Sequence, residues 1–325
     1  MNPLLQPFLI RENTQQSAVL VTGAGGCIGA WVCAILQASN IPVIAADLSE
    51  DRRRLHLIAG QQAADQIYWE QCDISDYASM SRIADTHHLS AIIHLAGLQV
   101  PFCAENPALG ARVNVEGTIN ILELARHRQI KRIAYASSVA ALALPPGGGY
   151  KETLYGVYKQ ANEHSAYVYW TDWQVPSLGI RPNVVYGLGR DQGISARNTF
   201  AIQAAVRNER FQIPYSGRYS WLYAGEAAAA FIAAVAQDGE GAPVFDLNGR
   251  CAPLEQGVDI LKNLNPLADI SCSGSAFPFP PDLDETPLHQ HLPDYPHISV
   301  EHGIADTFNA MQTLHHNGLL DEIPS

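Results

Sequence analysis

Positive charge is scarce in this sequence: 20 Lys and Arg stand against 32 Asp and Glu, a formal net charge of −12. That balance argues against a nucleic-acid partner, because non-specific affinity for a phosphate backbone rests on Lys and Arg. The one basic run, Arg52-Arg53-Arg54, is isolated. Cysteine is sparse and unpatterned. The six cysteines, Cys27, Cys33, Cys72, Cys103, Cys251 and Cys272, form no Cys-x-x-Cys pair, which indicates neither a zinc site nor a disulfide framework and favours reduced thiols in a cytoplasmic protein. Long apolar runs are missing too. The most apolar window, 227–236, is half the length of about 20 residues that a bilayer span needs. The stretch 4–10 is broken by Pro7 and lacks a basic lead, so it fails as a signal peptide. What remains is 47% hydrophobic and 16% charged residues, a globular balance in a chain long enough for one α/β core and a lobe.

The stretch 18–29 organises that core. Val19-Leu20-Val21 reads as a buried strand, Gly23, Gly26 and Gly29 follow at G-x-x-G-x-x-G spacing, and Trp31, Ala34, Ile35 and Ala38 continue as an apolar helix face. Such a turn lets the backbone approach a pyrophosphate, with the unpaired N–H groups of the helix start facing it. A second strand over 42–46 ends at Asp47, twenty-four positions after Gly23, where a dinucleotide fold places the acid that accepts from the adenine ribose hydroxyls. A carboxylate there repels a 2′-phosphate, so NAD is expected rather than NADP. Arg52, Arg53 and Arg54 are the counter-indication, read here as a solvated helix start.

Further along, 67–70 reads as a third strand, with Asp73 placed to accept from an adenine amino group unless Asp76 or Ser75 merely caps the next helix. Strand 91–95 carries His94, read as a satisfied core histidine, and ends at Ala96-Gly97. A long amphipathic helix is expected over 106–127 with Val113, Gly117, Ile121, Leu124 and Ala125 on its apolar face, and Asn114 among them requires a partner. Strand 132–136 ends at Ser137-Ser138, and the segment 145–149 is a loop. A second long helix, 155–173, carries Tyr155 and Lys159 at i and i+4, on one face. Its stripe of Tyr158, Ala161, Asn162, Ser165 and Tyr169, with the helix at 106–127, exceeds what one sheet face needs. Strand 177–181 leads into Asn183 and Arg190. Regular alternation of strand and helix predicts an α/β protein, a doubly wound parallel (Rossmann) sheet. The expected division is an extension over 1–17, read as loosely held, a dinucleotide-binding domain over 18–190 and 217–249, and a smaller C-terminal substrate-binding lobe over 191–216 and 250–318. His289, His291 and His297 stand close in the lobe without a carboxylate or cysteine partner, so no metal site is expected.

Oxidising a hydroxyl requires a base that takes its proton while its hydride leaves for a nicotinamide. A tyrosine, ordinarily titrating near pH 10, serves only where positive charge favours its phenolate. Lys159 and an oxidised nicotinamide supply that charge to Tyr155, and Ser138 hydrogen-bonds the substrate oxygen.

Taken together, these residues resemble the extended short-chain dehydrogenase/reductase family, the NAD-dependent sugar epimerases and dehydratases. The resemblance covers about residues 18–250. It is carried by Thr22 to Gly29, Asp73-Ile74, His94-Leu95-Ala96-Gly97, Asn114-Val115-Glu116-Gly117-Thr118, Ser137-Ser138, Tyr155-Gly156-Val157-Tyr158-Lys159 and Arg181-Pro182. It implies that Cys27 and Ile28 touch the pyrophosphate, Asp47 the adenine ribose, and Asp73 and Ile74 the adenine. Leu95, Ala96, Gly97 and Asn114 would line the path to the nicotinamide. Ser138, Tyr155 and Lys159 would be catalytic, with Lys159 also on the nicotinamide ribose. A homodimer through a four-helix bundle is implied as well.

The departures shape the functional expectation. Ser138 is followed by Val139-Ala140-Ala141 where dehydratases of the family carry an Asp-Glu pair. Arg218, the candidate grip on a substrate diphosphate, is out of register by one, and Gln99 replaces a lysine frequent in hexose 4-epimerases. With Asn183 and Arg190, these two are the candidate substrate contacts. The first reading is an NAD-dependent oxidoreductase acting on a small sugar, sugar acid or lactone. The alternative is a nucleotide-sugar epimerase with tightly bound NAD. A non-catalytic dinucleotide sensor is the third, opposed by the intact Ser138, Tyr155 and Lys159.

Overall fold

The protein is described by a computed structural model over residues 2–10, 17–142 and 152–320; the expected loop at 145–149 and the polar run at 11–16 lie outside the described residues. Seven strands build the main sheet: β1 (Ala18–Thr22), β2 (Val43–Asp47), β3 (Tyr68–Gln71), β4 (Leu89–His94), β5 (Ile133–Ala136), β6 (Leu178–Pro182) and β7 (Val244–Leu247). Their order is β7-β6-β5-β4-β1-β2-β3, and every pairing is parallel. Successive side chains on a strand point to opposite faces. Val19 and Val21 accordingly enter one core and Leu20 the other; Ile93 and Ile92, or Ala134 and Tyr135, divide the same way. A parallel sheet covered on both faces is the result.

Helices α1 (Cys27–Ala38) and α4 (Ala224–Ala233) cover the first face, burying Trp31, Ile35, Ala227 and Phe231. The second is covered by Tyr77–Thr86, α2 (Gly117–Arg128) and α3 (Leu154–Trp173), through Met80, Ile121, Leu124 and Tyr169. Chain order reverses between β1 and β4, so their carboxyl ends form a switch point, the place where such sheets bind ligands. Outside this sheet, Arg250–Pro253, Arg218–Tyr223 and Val185–Tyr186 form a three-stranded sheet, and Phe211–Ile213 pairs with Ile270–Cys272. The hydrophobic core of the α1 face continues into these strands through Ile213 and Trp221, and into the helices Leu254–Leu264 and Val300–His316 through Leu261 and Ile304.

Three expectations change. The helix expected over 106–127 is interrupted: Asn106 caps Pro107–Ala111, Arg112–Glu116 makes a π turn, and α2 follows. The wider turn carries Asn114, and such turns cluster where a side chain must be re-aimed. Near the N-terminus, Pro3–Phe8 is a 3₁₀ helix with Leu4, Leu5 and Phe8 buried, and the Phe8 ring lies 5.9 Å from Trp31 and 6.1 Å from Tyr223. Apolar burial holds this segment, in place of the loose attachment expected. On α3, Asn162 and Tyr169 of the expected stripe are buried within the chain, while Leu154, Val157, Tyr167, Val168 and Trp173 are the large exposed apolar side chains.

Candidate active site

The glycine turn is held by backbone meeting backbone. Gly23 has φ +72°, and a Cβ on it would stand 2.6 Å from the Ala96 nitrogen; a Cβ on Gly29 would stand 2.1 Å from Gly23 O. Gly26, which donates to Gly23 O at 3.0 Å, opens α1 without a side-chain cap. The first-turn N–H groups at Cys27 and Ile28 therefore have no partner within the helix and are suited to an anion. Burial pushes the Cys27 thiol up to about 11, which keeps it a neutral thiol near pH 7. At the end of β2, Asp47 accepts from Gly25 N–H (2.9 Å) and Leu48 N–H (2.7 Å).

The three arginines are not a uniformly solvated start. Only Arg53 is exposed, against Asp51. Arg52 donates to the carbonyls of Ala64 and Ile67 and lies 5.1 Å from the Trp69 ring. Arg54 donates to Gly25 O and pairs bidentately with Asp191 (2.9 and 2.7 Å). Burial favours these engagements because a guanidinium removed from water requires acceptors.

Asp73 accepts from the Ser75 hydroxyl at 2.8 Å, and Asp76 caps the next helix through Ala78 N–H. Ile74 lies where a Cβ on Gly117 would come within 2.6 Å of its Cδ1. His94 is a core residue: Thr22 Oγ1 and Thr118 Oγ1 flank its ring nitrogens at 2.7 and 3.1 Å, and burial lowers its pKa to about 3. Leu95 N–H donates to Thr22 O at 3.1 Å, joining the ends of β4 and β1.

Beyond Leu95 and Ala96, a Cβ on Gly97 would meet Asn114 Oδ1 at 2.6 Å and Lys159 Nζ at 3.6 Å. Asn114 Nδ2 donates to Leu98 O and Gly110 O, but its buried Oδ1 has no partner among the described residues. A buried acceptor left open beside a glycine and an ammonium fits the ribose of a dinucleotide, since an unsatisfied buried group is costly otherwise.

Lys159 is buried and donates to Ala136 O at 2.6 Å; burial lowers its pKa to about 8. Its Nζ lies 5.6 Å from the centroid of the half-buried Tyr155 ring. Tyr155 is raised above its ordinary value by burial, against a hydrogen bond with Ser138 and the charge of Arg190, which lower it. Ser138 begins the short turn Val139–Ala141, and Gly156 packs on that turn so closely that a Cβ would stand 2.2 Å from Ala140 O. Of the two serines, Ser137 is buried and donates to Glu163, itself paired bidentately with Arg181 at 2.7 Å. Ser138 is the one that meets Tyr155.

Among the substrate candidates, Gln99 and Arg190 converge: a Cβ on Gly193 would lie 3.5 Å from Gln99 Oε1 and 3.9 Å from Arg190 Nη2. Arg190 donates to Ser195, while its buried Nε has no partner among the described residues. Asn183 instead follows β6 and ties it to two distant segments, donating to Asn248 Oδ1 (2.7 Å) and Pro280 O (2.8 Å). Arg218 is exposed, with its contact at Cys251 Sγ (3.0 Å). The sequence reading misses Asn198, whose amide is buried with both polar atoms unpartnered among the described residues. An amide isolated in an apolar helix was the available signal, as for Asn114. The reading of the lobe histidines also requires correction, because Glu285 lies 3.5 Å from His289 and Glu226 3.3 Å from His297.

The sequence pattern of the NAD dependent epimerase/dehydratase family matches residues 19–247. The UDP-glucose 4-epimerase of Pongo abelii is 32% identical over 139 residues, 39% of this chain and 39% of that protein. The chain thus spans well under half the length of that relative. Among solved structures, a partial consensus L-threonine 3-dehydrogenase (E-change) superimposes with TM-score 0.78 at 19% identity, covering 91% of this chain and 99% of the other. A UDP-glucose 4-epimerase with UDP-glucose, from the hyperthermophilic eubacterium Thermotoga maritima, gives TM-score 0.74 at 21% identity, covering 92% and 99%. At these identities the structural likeness is one of fold. No helix among the described residues is long and apolar enough to cross a membrane.

Proposed function

The chain belongs to the NAD dependent epimerase/dehydratase family, and from that premise we propose an oxidoreductase that exchanges a hydride between NAD and a hydroxyl or keto group of a small sugar, sugar acid or lactone. The observation that carries the chemistry is the run of contacts from Ser138 to Tyr155 to Lys159, whose ammonium lies beside Gly97 together with the open acceptor of Asn114. When bound, an oxidised nicotinamide supplies a hydride acceptor and a positive charge. The first-turn N–H groups of Cys27 and Ile28 would hold its pyrophosphate, Asp47 its adenine ribose, Asp73 and Ile74 its adenine, and Asn114 and Lys159 its other ribose. Ser138 Oγ–H donates to the substrate oxygen, and Tyr155 Oη takes the substrate proton. Without added positive charge, burial keeps Tyr155 a neutral phenol. The base is therefore armed only in the loaded site, where the nicotinamide adds its charge to that of Arg190, which lowers Tyr155, and to that of Lys159, still largely protonated at pH 7 and 5.6 Å from the Tyr155 ring.

Net redox is favoured over epimerisation by the thin anchor for a diphosphate: Arg218 is exposed at Cys251, and Gln99 stands where a lysine would grip. Epimerisation of a nucleotide-linked sugar is the second reading, supported by the Pongo abelii relative. NAD is favoured over NADP by Asp47 and by the engagement of Arg52 and Arg54 with this chain's own groups. The exposed apolar side chains Leu109, Leu154, Val157 and Val168 support a homodimer through the helical stretches near 106–127 and 155–173, and six free cysteines support a cytoplasmic setting. Residues 18–190 with 217–249 are taken as the dinucleotide unit, and 191–216 with 250–318 as the lobe. The test incubates the protein with sugars, sugar acids and nucleotide sugars, each with NAD or NADP, while following reduced-nicotinamide absorbance and product stereochemistry. Stoichiometric NADH is expected; catalytic epimerised product without it would establish the second reading.

A further inference from the structure

We propose that Glu285, His289 and His297 form a binding site for a divalent transition-metal cation of the zinc type, fastening the lobe segment 285–297 to α4. Glu285 immediately precedes the helix Thr286–His291, and His289 follows four positions later, so the two side chains rise on one face. Glu285 Oε1 and His289 Nε2 are 3.5 Å apart. His297 returns over them, its ring centroid 4.1 Å from that of His289, and the candidate donor atoms of all three residues lie within 4.8 Å of one another. A tetrahedral zinc with N and O donors at about 2.0–2.2 Å separates those donors by about 3.3–3.6 Å. The Glu285–His289 spacing already matches, and the exposed His297 completes a set whose donors lie within 4.8 Å of one another.

The surroundings steady each donor as an outer shell does around a metal. Glu285 accepts from Tyr295 Oη–H at 2.9 Å and from Gly249 N–H at 3.1 Å. His297 lies with Nδ1 3.3 Å from Glu226 Oε1, and the other oxygen of Glu226 accepts from Ile298 N–H at 3.2 Å. A carboxylate on one ring nitrogen fixes the tautomer and leaves the opposite nitrogen's lone pair for a cation. Here that leaves Nε2 of His297. Charge points the same way. Glu226 is 0% exposed and Glu285 8%, and two buried carboxylates side by side require compensation. Arg250, whose charge reaches His289 and Tyr295, supplies one positive charge. His289 and His297, with side chains 30% and 32% exposed, leave an entry path.

The experiment uses the untagged full chain, stripped with chelator and titrated calorimetrically with zinc sulfate, with bound metal counted by elemental analysis after gel filtration. One zinc per chain and a raised unfolding midpoint are expected. The His289→Gln/His297→Gln variant, which keeps size and hydrogen-bonding capacity, loses at least tenfold in affinity. A His315→Ala/His316→Ala control on the last helix retains it. Should the glutamine pair fail to fold, His297→Gln alone, at the exposed position, carries the comparison. Absence of stoichiometric binding by the parent chain, or equal affinity in the glutamine variants, overturns the proposal.

Discussion

Around the glycine turn, backbone lies on backbone: Gly29 against Gly23 O and Gly23 against Ala96; at the start of α3, Gly156 meets Ala140 O in the same way. Beyond Tyr155 such approaches recur singly, at Gly249 on Trp221 O and at Gly274 on Pro214 O, and side chains reaching distant partners do more of the joining. Arg54 pairs with Asp191, Trp31 Nε1–H donates to Leu188 O at 2.9 Å, and Asn183 joins Asn248 and Pro280. The first region depends on side chains that are missing, at fixed spacing, and has little room for change. The second relies more on partners that many residue types supply, so on the function proposed above it is where substrate preference is free to differ.

If that contrast holds, the largest effect should come from the residue between the regions, and it should separate them. Tyr155→Phe removes only the ionisable oxygen, so turnover is expected to fall by roughly two to four orders of magnitude while NAD affinity stays within about twofold. Steady-state kinetics beside calorimetry checks this, and near-native turnover would remove Tyr155 from the acid–base role. Next in size is Gly29→Ala. A Cβ 2.1 Å from Gly23 O forces the turn open, so a stability loss of about 3 kcal/mol and a fall in NAD affinity are expected together. Urea unfolding and titration measure the two, and a variant with native affinity would show that the turn tolerates a side chain. Smallest is Asn183→Ala, which strips a donor from Asn248 and Pro280. It should cost roughly 1–3 kcal/mol in unfolding experiments with NAD affinity unchanged. A large loss of NAD affinity would mean that the two regions are not separable.

The same contrast decides what was legible in the sequence. β1, β2 and β5 stood out because short apolar runs end at Gly, Asp or Ser, and Tyr155 and Lys159 share a helix face because their spacing is local. Arg54 was misread because its partner Asp191 lies 137 positions away, and spacing carries no information at that range. The carboxylate beside His289 is only four positions distant, but its proline-rich surroundings read as loop, where helical spacing has no meaning. Phe8 was taken as part of a loose extension because one aromatic in a short segment gives no periodicity; only the Trp31–Tyr223 pair it meets explains its burial.

The π turn at Arg112–Glu116 acts as a phase shifter in an otherwise regular rod. An α-helix advances about 100° per residue, and a wider turn holds one residue more, so everything after it is rotated by about that amount. The two ends thereby keep separate azimuths: Gly110 meets Tyr158 and Cys103, while Gly117 meets Ile74. Like a tooth added to a gear, the extra residue sets how the halves mesh, and Asn114 sits on that tooth. What must be inherited unchanged across 112–116 is therefore the number of residues as much as their identity, because a one-residue deletion would re-aim one end of the rod even if every remaining side chain were kept.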